Sequence, residues 1–162
     1  MNKTAVNNTN KTRVPITVLI SYSGAHESKL AEHLHAKLTS PPASMEIWWD
    51  KKSIESGEFW TNTIEDGIRR CDVLLFLVGA RSIQPESIAH REWNFALKNG
   101  KPILPILCDP TVNHGQIPFL LNSVSSADFR TYSINNCEHS EHRETLGKLI
   151  DAIRRVAETS AS

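Results

Sequence analysis

Apolar and polar positions along the chain follow two different periodicities. Continuous apolar runs at residues 14–20, 73–80 and 102–107 have the length and composition of strands buried on both faces of a sheet. Shorter runs at residues 45–49 and 127–132 predict two further strands, the second of them weaker. Between these runs the pattern changes to helical spacing.

Four segments carry apolar residues at the three- and four-residue spacing of an amphipathic helix. They cover residues 26–38, 59–70 and 87–97 and the region around residues 146–153. Pro85 and Gly100 bracket the third segment, as expected at the start and the end of a helix. The apolar stripes consist of Leu30, Leu34 and Leu38; Trp60, Ile64 and Ile68; Ile88, Ala89, Phe95 and Ala96; and Leu146, Leu149, Ile150 and Ile153.

Strands that alternate with helices predict an α/β fold. Their order indicates a flavodoxin-like, doubly wound parallel sheet of four to five strands with helices on both faces. Ligands of such sheets bind outside the carboxyl ends of the strands, near the point where the strand order reverses. The segments after the first three strands, residues 21–24, 50–57 and 79–87, are therefore expected to converge on one crevice.

The composition is that of an ordinary single domain. Of 162 residues, 40% are hydrophobic, and 18 basic residues balance 18 acidic ones, so the chain lacks the basic excess typical of direct nucleic-acid binding. We expect residues 1–13 to be a disordered tail, residues 14–157 to form the domain, and residues 158–162 to be a C-terminal tail or a linker. No signal peptide or membrane-length apolar run is visible, which predicts a cytoplasmic protein that does not bind membranes, with Cys71, Cys108 and Cys137 reduced.

Glu92 is the candidate with the clearest chemical meaning. On a helix it shares a face with four apolar residues, and a carboxylate among apolar groups is costly unless it is held there for a purpose. Its position places it near the predicted crevice. The alternative, an ordinary surface residue or an ion pair with Arg69 or Arg81, remains open from the residues alone.

Other chemistries find little support in the sequence. Neither of the two best-known glycine-rich phosphate cradles is present, and no serine-hydrolase elbow exists. Asp50 follows the second strand as a response-regulator phosphoacceptor does, but the acidic pair required after the first strand is replaced by Ser21, Tyr22 and Ser23. Residues 137–142, CEHSEH, lack a matching second half of a metal site and are read as a solvated turn, so no metal is expected. Four other histidines are interpreted as surface residues: His26, His33, His35 and His90.

Five segments, in order, resemble a TIR (Toll/interleukin-1 receptor) domain. They are VLISYS at residues 18–23, IWWD-x-x-x-I-x-x-G-x-x-W at 47–60, VLLFLVGARS at 73–82, S-x-x-x-x-E-W-x-x-A at 87–96 and KPILPIL at 101–107. The resemblance runs from about residue 14 to residue 129. The WWD form and the compact length are similar to prokaryotic TIR domains, including those that cleave NAD.

This resemblance implies candidate site residues. The catalytic glutamate of NAD-cleaving TIR domains lies in the helix after the third strand, which corresponds to Glu92. The nucleotide-contacting residues after the first strand correspond to Ser23 and Gly24. The family's BB loop corresponds to residues 50–57, which gate the site and take part in assembly. Further substrate-binding candidates in and around that loop are Trp49, Asp50, Glu55, Phe59 and Trp60.

The resemblance also has departures. Some NAD-cleaving members carry arginines directly after the first-strand Ser-Tyr, where this chain has Ser23 and Gly24. Backbone N–H groups at the start of the next helix would then have to bind part of the pyrophosphate. The family often has a cysteine two or three residues before the glutamate, where this chain has His90 and Ala89. This difference bears on packing or on product choice.

Three functions are compatible with these patterns. The first is an NAD glycohydrolase or cyclase, with NAD as substrate and no separate cofactor, acting in bacterial anti-phage defence and activated by self-assembly with other TIR domains or by an activator. The second is a non-catalytic TIR adaptor or host-mimicking effector that acts through TIR–TIR binding. The third, more distant, is a nucleoside deoxyribosyltransferase-like enzyme. The sequence favours the first.

Overall fold

Five strands and four α-helices alternate in the part of the chain that the structure describes. The computed structural model describes residues 14–48, 60–117, 127–132 and 139–161, with the side chains of residues 26, 60–63 and 114 excepted. The strands are β1 (Thr17–Ser21), β2 (Glu46–Trp48), β3 (Val73–Val78), β4 (Ile103–Leu107) and β5 (Ala127–Asp128). The helices are α1 (Ala25–Thr39), α2 (Trp60–Arg70), α3 (Ile88–Lys98) and α4 (Ser140–Ser160), with a short 3₁₀ helix at His114–Gln116.

All strand pairs in the sheet are parallel, and the strand order is β2-β1-β3-β4-β5. This order confirms the flavodoxin-like, doubly wound prediction, in which the chain leaves β1 toward one edge and then returns to build the other half. The order reverses between β1 and β3. Their register pairs Val18 with Val73 and Ser21 with Phe76, so the two strands end close together at the carboxyl edge.

Helices cover both faces of the sheet because side chains of successive strand residues point in opposite directions. Along β3, residues 73, 75 and 77 pack in the core beneath α1 and α4, and residues 74, 76 and 78 pack in the core beneath α2 and α3. Every residue of β3 and β4 is buried. These strands therefore read as continuous apolar runs in the sequence, as central parallel strands do.

Several element boundaries differ from the sequence prediction. The first strand begins at Thr17, and Val14 is 84% exposed, because the apolar run continues past the sheet edge into a segment that contains Pro15. β5 has only two residues instead of the predicted six. The tail expected from residue 158 is helical for most of its length, since α4 continues to Ser160 and Ala157 packs in the core.

None of the helices in the described part of the chain is long and apolar enough to cross a membrane.

Candidate functional site

The predicted site lies at the carboxyl edge of β1 and β3, where the strand order reverses. Ser23 and Gly24 follow β1 at this edge and lead directly into α1. Gly79 follows β3 and begins the loop to α3. Trp60 is the first residue of α2, which places its backbone at the same edge. Four predicted substrate-binding residues lie outside the described residues: Trp49, Asp50, Glu55 and Phe59.

The loop between β3 and α3 is held by one buried hydroxyl. The Ser82 side chain is fully buried, and its Oγ accepts a hydrogen bond from the Gly79 backbone N–H at 2.7 Å. The hydroxyl proton faces two carbonyl oxygens, of Leu77 at 2.9 Å and of Gly79 at 3.0 Å. Outside the loop, Asp109 after β4 accepts the Ala80 N–H at 3.2 Å. The end of β3 and the first turn of the loop are thus tied to each other.

The same loop sets the start of α3. The Ser87 hydroxyl donates to the Ser82 backbone carbonyl at 2.9 Å and accepts the His90 backbone N–H at 3.0 Å, so Ser87 is the N-cap. A serine in this role satisfies one of the N–H groups that a helix start leaves without a partner. At the other end Gly100 has a φ of +66°, which glycine adopts without strain.

Glu92 is half-buried in the second turn of α3. Its helical neighbours Ala89 and Ala96 are fully buried, whereas Ile88 is 41% exposed, so the expected apolar surroundings are present on only part of the face. Phe95 lies under the guanidinium of Arg69 from α2, with the Arg69 Cζ 5.1 Å from the ring centroid. Because residues three apart lie on the same side of a helix, Glu92 faces the α2 side, one turn nearer the carboxyl edge.

Arg69 also bears on the alternative explanation for Glu92. Its guanidinium pairs with Glu65 at 3.5 Å and with Asp66 at 3.2 Å, both on its own helix. The positive charge of Arg69 therefore lies beside two carboxylates of α2.

A second carboxylate at this edge escaped the sequence analysis. Glu27, in the first turn of α1, is only 3% exposed. Its Oε2 lies 2.9 Å from the position that a Cβ on Gly24 would take, and its Oε1 lies against Gly79, where a Cβ would overlap it. Two glycines therefore make the space for this carboxylate. Its charge also opposes a phosphate at the start of α1, where we expected backbone N–H groups to help bind the pyrophosphate.

Arg81 reaches the same place from the β3–α3 loop. The side chain is exposed, and its Cδ lies 3.9 Å from the position of a Cβ on Gly24. The segment after β1, which lacks the arginines of some TIR domains, is thus approached by an arginine from another loop. Sequence distance hides this proximity, because Gly24 and Arg81 meet only through the pairing of β1 with β3.

The histidine segment before α4 has a structural role that the sequence reading missed. His139 is the N-cap of α4, as expected of a turn. His142 was expected to be solvated but is only 4% exposed, with its ring stacked 6.4 Å from Phe129 and edge-on to Tyr132 at 5.7 Å. His33, read as a surface residue, also packs on Tyr132 at 5.1 Å. Among the described residues, no group of three or more His, Cys, Asp or Glu side chains is placed to hold a metal ion.

Two buried cysteines are free thiols, as predicted: Cys71 and Cys108. Burial raises the pKa of Cys71 to about 11, and the charge of Lys101 opposes this increase. Burial raises the pKa of Cys108 further, with contributions from the charges of Glu27 and Asp109. Neither thiol is a nucleophile at neutral pH, since nucleophilic cysteines need a lowered pKa. Cys137 lies outside the described residues.

One comparison with known proteins shows the family, and others show the fold. The family model described as the TIR domain matches residues 18–146. The TIR domain of the Toll-related receptor TRR-2 from Hydra magnipapillata is similar in structure, with a TM-score of 0.62, 20% identity and coverage of 85% of this chain and 97% of that one. A prokaryotic SEFIR domain gives a TM-score of 0.60 at 15% identity, covering 85% and 98%.

The TIR domains of the activated Roq1 resistosome, which recognises the pathogen effector XopQ, are also similar. They give a TM-score of 0.58 at 14% identity and cover 85% of this chain and 99% of theirs. At these identities the structural matches establish the fold. No curated protein matches the chain significantly in sequence.

Proposed function

The chain belongs to the TIR-domain family, whose members include NAD-cleaving enzymes and adaptors, and we propose that it is an NAD glycohydrolase or cyclase. The observation that carries the proposal is Glu92, a half-buried carboxylate on the helix after the third strand. The resemblance to NAD-cleaving TIR domains implies that their catalytic glutamate corresponds to this residue. Glu92 is the proposed catalytic residue.

One carboxylate is sufficient for this reaction. Glycosidases generally use a carboxylic acid to protonate the leaving group and a carboxylate to act on the sugar. In NAD the leaving nicotinamide is bonded through a positively charged ring nitrogen, so it departs as a neutral molecule and takes no proton. The remaining task is to hold the ribose and to stabilise the cationic carbon as the bond breaks.

Glu92 suits that task. Its negative charge stabilises the developing cation, and its oxygens accept hydrogen bonds from the ribose hydroxyls. Ala89 and Ala96, both fully buried on adjoining positions, keep part of its surroundings apolar, and a charge acts more strongly where water is scarce. Water then captures the cation to give ADP-ribose, or a nucleophile of the same molecule gives a cyclic ADP-ribose isomer.

The predicted loop at residues 50–57 and the aromatic residues Phe59 and Trp60 are proposed to complete the site. The loop gates NAD and contributes to contacts between TIR domains. An aromatic ring there would stack on a ring of the substrate. Self-assembly activates the enzyme in this proposal, with a role in bacterial anti-phage defence inside the cell. A resistosome whose TIR domains share the fold is compatible with assembly as the active form.

The direct test measures nicotinamide release from NAD by the purified protein, both in dilute solution and clustered on beads. Products are separated by chromatography and identified by mass. Glu92→Gln, which keeps the shape and removes the charge, and Glu92→Ala are each expected to lower the rate about 10²–10³-fold, as loss of one transition-state contact does. Glu141→Gln is the matched control, since Glu141 is exposed on α4.

The outcomes separate the competing functions. Nicotinamide release that both Glu92 variants abolish and Glu141→Gln retains supports the enzyme. If clustered wild type leaves NAD intact, or if Glu92→Ala is as active as wild type, the proposal fails. The adaptor or host-mimicking effector then becomes the working hypothesis, and base exchange on deoxynucleosides would indicate the transferase.

A further inference from the structure

Two serine side chains join the end of β3 to the start of α3. The buried Ser82 side chain is bound to the end of β3, and the Ser87 hydroxyl donates to the Ser82 carbonyl at 2.9 Å. We propose that Ser87 is a positioning residue for the cleavage of NAD. This role rests on the proposed function: Ser87 fixes the start of the helix that carries Glu92, and so fixes where Glu92 lies relative to β3.

The loop between β3 and α3 has little packing of its own. Residues 80–81 and 84–86 are exposed, and Ile83 is half-buried. Ser82 contrasts with them, since it is fully buried and its hydroxyl accepts the Gly79 N–H at 2.7 Å. Exposed segments with few buried contacts open easily unless specific bonds hold them. The bonds of Ser82 therefore fix the part of the loop nearest the strand.

Ser87 extends this connection to the helix. Its hydroxyl donates to the Ser82 carbonyl at 2.9 Å and accepts the His90 backbone N–H at 3.0 Å. One hydroxyl makes both bonds because it carries a proton and two lone pairs. Capping a helix requires only the second bond, in which the side chain is the acceptor. The first bond ties the helix start to a residue that is itself bound to the end of β3.

The packing of α3 on the sheet does not by itself fix the helix axis. The buried residues of α3 are Ala89, Trp93 and Ala96. Alanine carries a single methyl group, so two of these three positions allow close contact without interlocking with the sheet. Trp93 packs on Phe76 of β3, with the ring centroids 6.3 Å apart. A second point of attachment at the helix start fixes both the position and the direction of the axis.

Ser87 lies close enough to Glu92 for this attachment to affect catalysis. Glu92 follows five residues later, about 7.5 Å along the axis at the usual helical rise. The helix between them is continuous, so a displacement of its start carries Glu92 with it. Misplacing a catalytic group by about 1 Å can cost about 10²-fold in rate. We expect loss of the Ser87–Ser82 bond to lower kcat about tenfold with little change in KM, since stabilisation of the transition state is what weakens.

Substitutions at Ser87 separate positioning from capping. Asp is as good an N-cap as Ser, but an ionised carboxylate has no proton to donate to the Ser82 carbonyl. Gly cannot donate either, adds no charge, and costs a helix start only a little. Thr keeps both the donor and the acceptor. Ser87→Asp and Ser87→Gly are each expected to lower kcat about tenfold, whereas Ser87→Thr is expected to stay near wild type.

The measurement is nicotinamide release from NAD by dilute and bead-clustered protein, with kcat and KM determined separately. Thermal unfolding checks that each variant is folded. Ser140→Asp, at the exposed first position of α4, is the matched control for a charge added at a helix start and should leave kcat unchanged. If Ser87 acted only as a cap, Ser87→Asp would be fully active.

Hydrogen exchange reports on the same bond without NAD. The Gln84 N–H donates to the Arg81 carbonyl at 3.2 Å, and the Ser87 N–H donates to the Gln84 carbonyl at 3.0 Å. In Ser87→Asp both amides are expected to exchange severalfold faster, because the loop is released at its helix end. The His90 amide should keep its protection, since the new carboxylate still accepts its hydrogen bond.

The outcomes separate this role from the proposed enzyme. A lower kcat in Ser87→Asp and Ser87→Gly, with a nearly unchanged KM and a normal Ser87→Thr, supports the role. If wild type cleaves NAD and Ser87→Asp matches it, or if only KM changes, the role is overturned and the enzyme stands. Unchanged exchange at Gln84 in Ser87→Asp overturns the role whatever the activity. If clustered wild type leaves NAD intact, the proposed enzyme fails and the role falls with it.

Discussion

Removing the Ser82 hydroxyl tests how the loop beneath the site is held. In Ser82→Ala the Gly79 N–H loses its acceptor at 2.7 Å, and the Leu77 and Gly79 carbonyls lose the proton that they share. The methyl group that remains offers no hydrogen bond, and Gly79 and position 82 are both buried from water. A buried N–H left without a partner costs about 1–3 kcal/mol.

We therefore expect Ser82→Ala to lower the free energy of unfolding by about 2 kcal/mol. With a urea m-value of about 2 kcal/mol/M, the unfolding midpoint falls by about 1 M at an unchanged m-value. Ser160→Ala, at the exposed end of α4, is the control and should remain within about 0.5 kcal/mol of wild type. If Ser82→Ala also stays within about 0.5 kcal/mol, the hydroxyl is not what holds the loop and this reasoning is refuted.

Two further predictions address the cores and the pH dependence. Leu34→Ala, at a fully buried position of α1, should lower the free energy of unfolding by about 2–5 kcal/mol. Leu97→Ala, at a 38% exposed position, should lower it far less. Equal losses of unfolding free energy in urea titrations would contradict the difference in burial between the two leucines. Burial raises the pKa of Cys71 from 9.0 to about 11, so the thiol loses its proton at a lower pH in the unfolded chain than in the folded one. The protonated thiol therefore contributes fully to the free energy of unfolding below pH 9. This contribution, roughly 3 kcal/mol, is lost as the pH rises from 9 to 11. Urea titrations across this range should show a smaller decline in Cys71→Ala, and an identical decline would rule out the thiol as its source.

Structural features that depend only on residues nearby in the sequence were predictable. The apolar runs predicted β3 and β4 because both strands are buried along their whole length. A strand of this kind is visible in the sequence as a continuous apolar run, without knowledge of the strands that pair with it. Gly100 beyond the end of the third helix follows from local backbone chemistry. The placement of Glu92 on the third helix belongs to this class as well.

Weaker boundaries failed for a physical reason. The run that begins at Val14 is apolar, but the sheet has room only from Thr17, and pairing with β2 and β3 decides where a strand starts. Residues after Ala157 lack strong apolar character, yet α4 continues because Ala157 itself packs against the core. His142 is polar by type and is buried because aromatic rings from the β5 region stack on it.

The burial of Glu27 could have been predicted from the sequence. It lies three residues before Leu30, on the same stripe as Leu34 and Leu38, so its carboxylate points toward the core by the logic applied to Glu92. That pattern predicts burial. It does not say what the carboxylate meets, because Gly79 is on a different strand.

The sequence by itself determined the alternation of strands and helices, the buried faces and the family, since these depend on periodicity and on the order of short motifs. Only the tertiary structure decided which residues distant in the sequence lie close together. Gly24, Glu27, Gly79 and Arg81 come together because β1 and β3 are neighbours in a sheet whose order reverses between them. Sequence separation does not predict this proximity, because the pairing of strands in the sheet determines which residues lie close together.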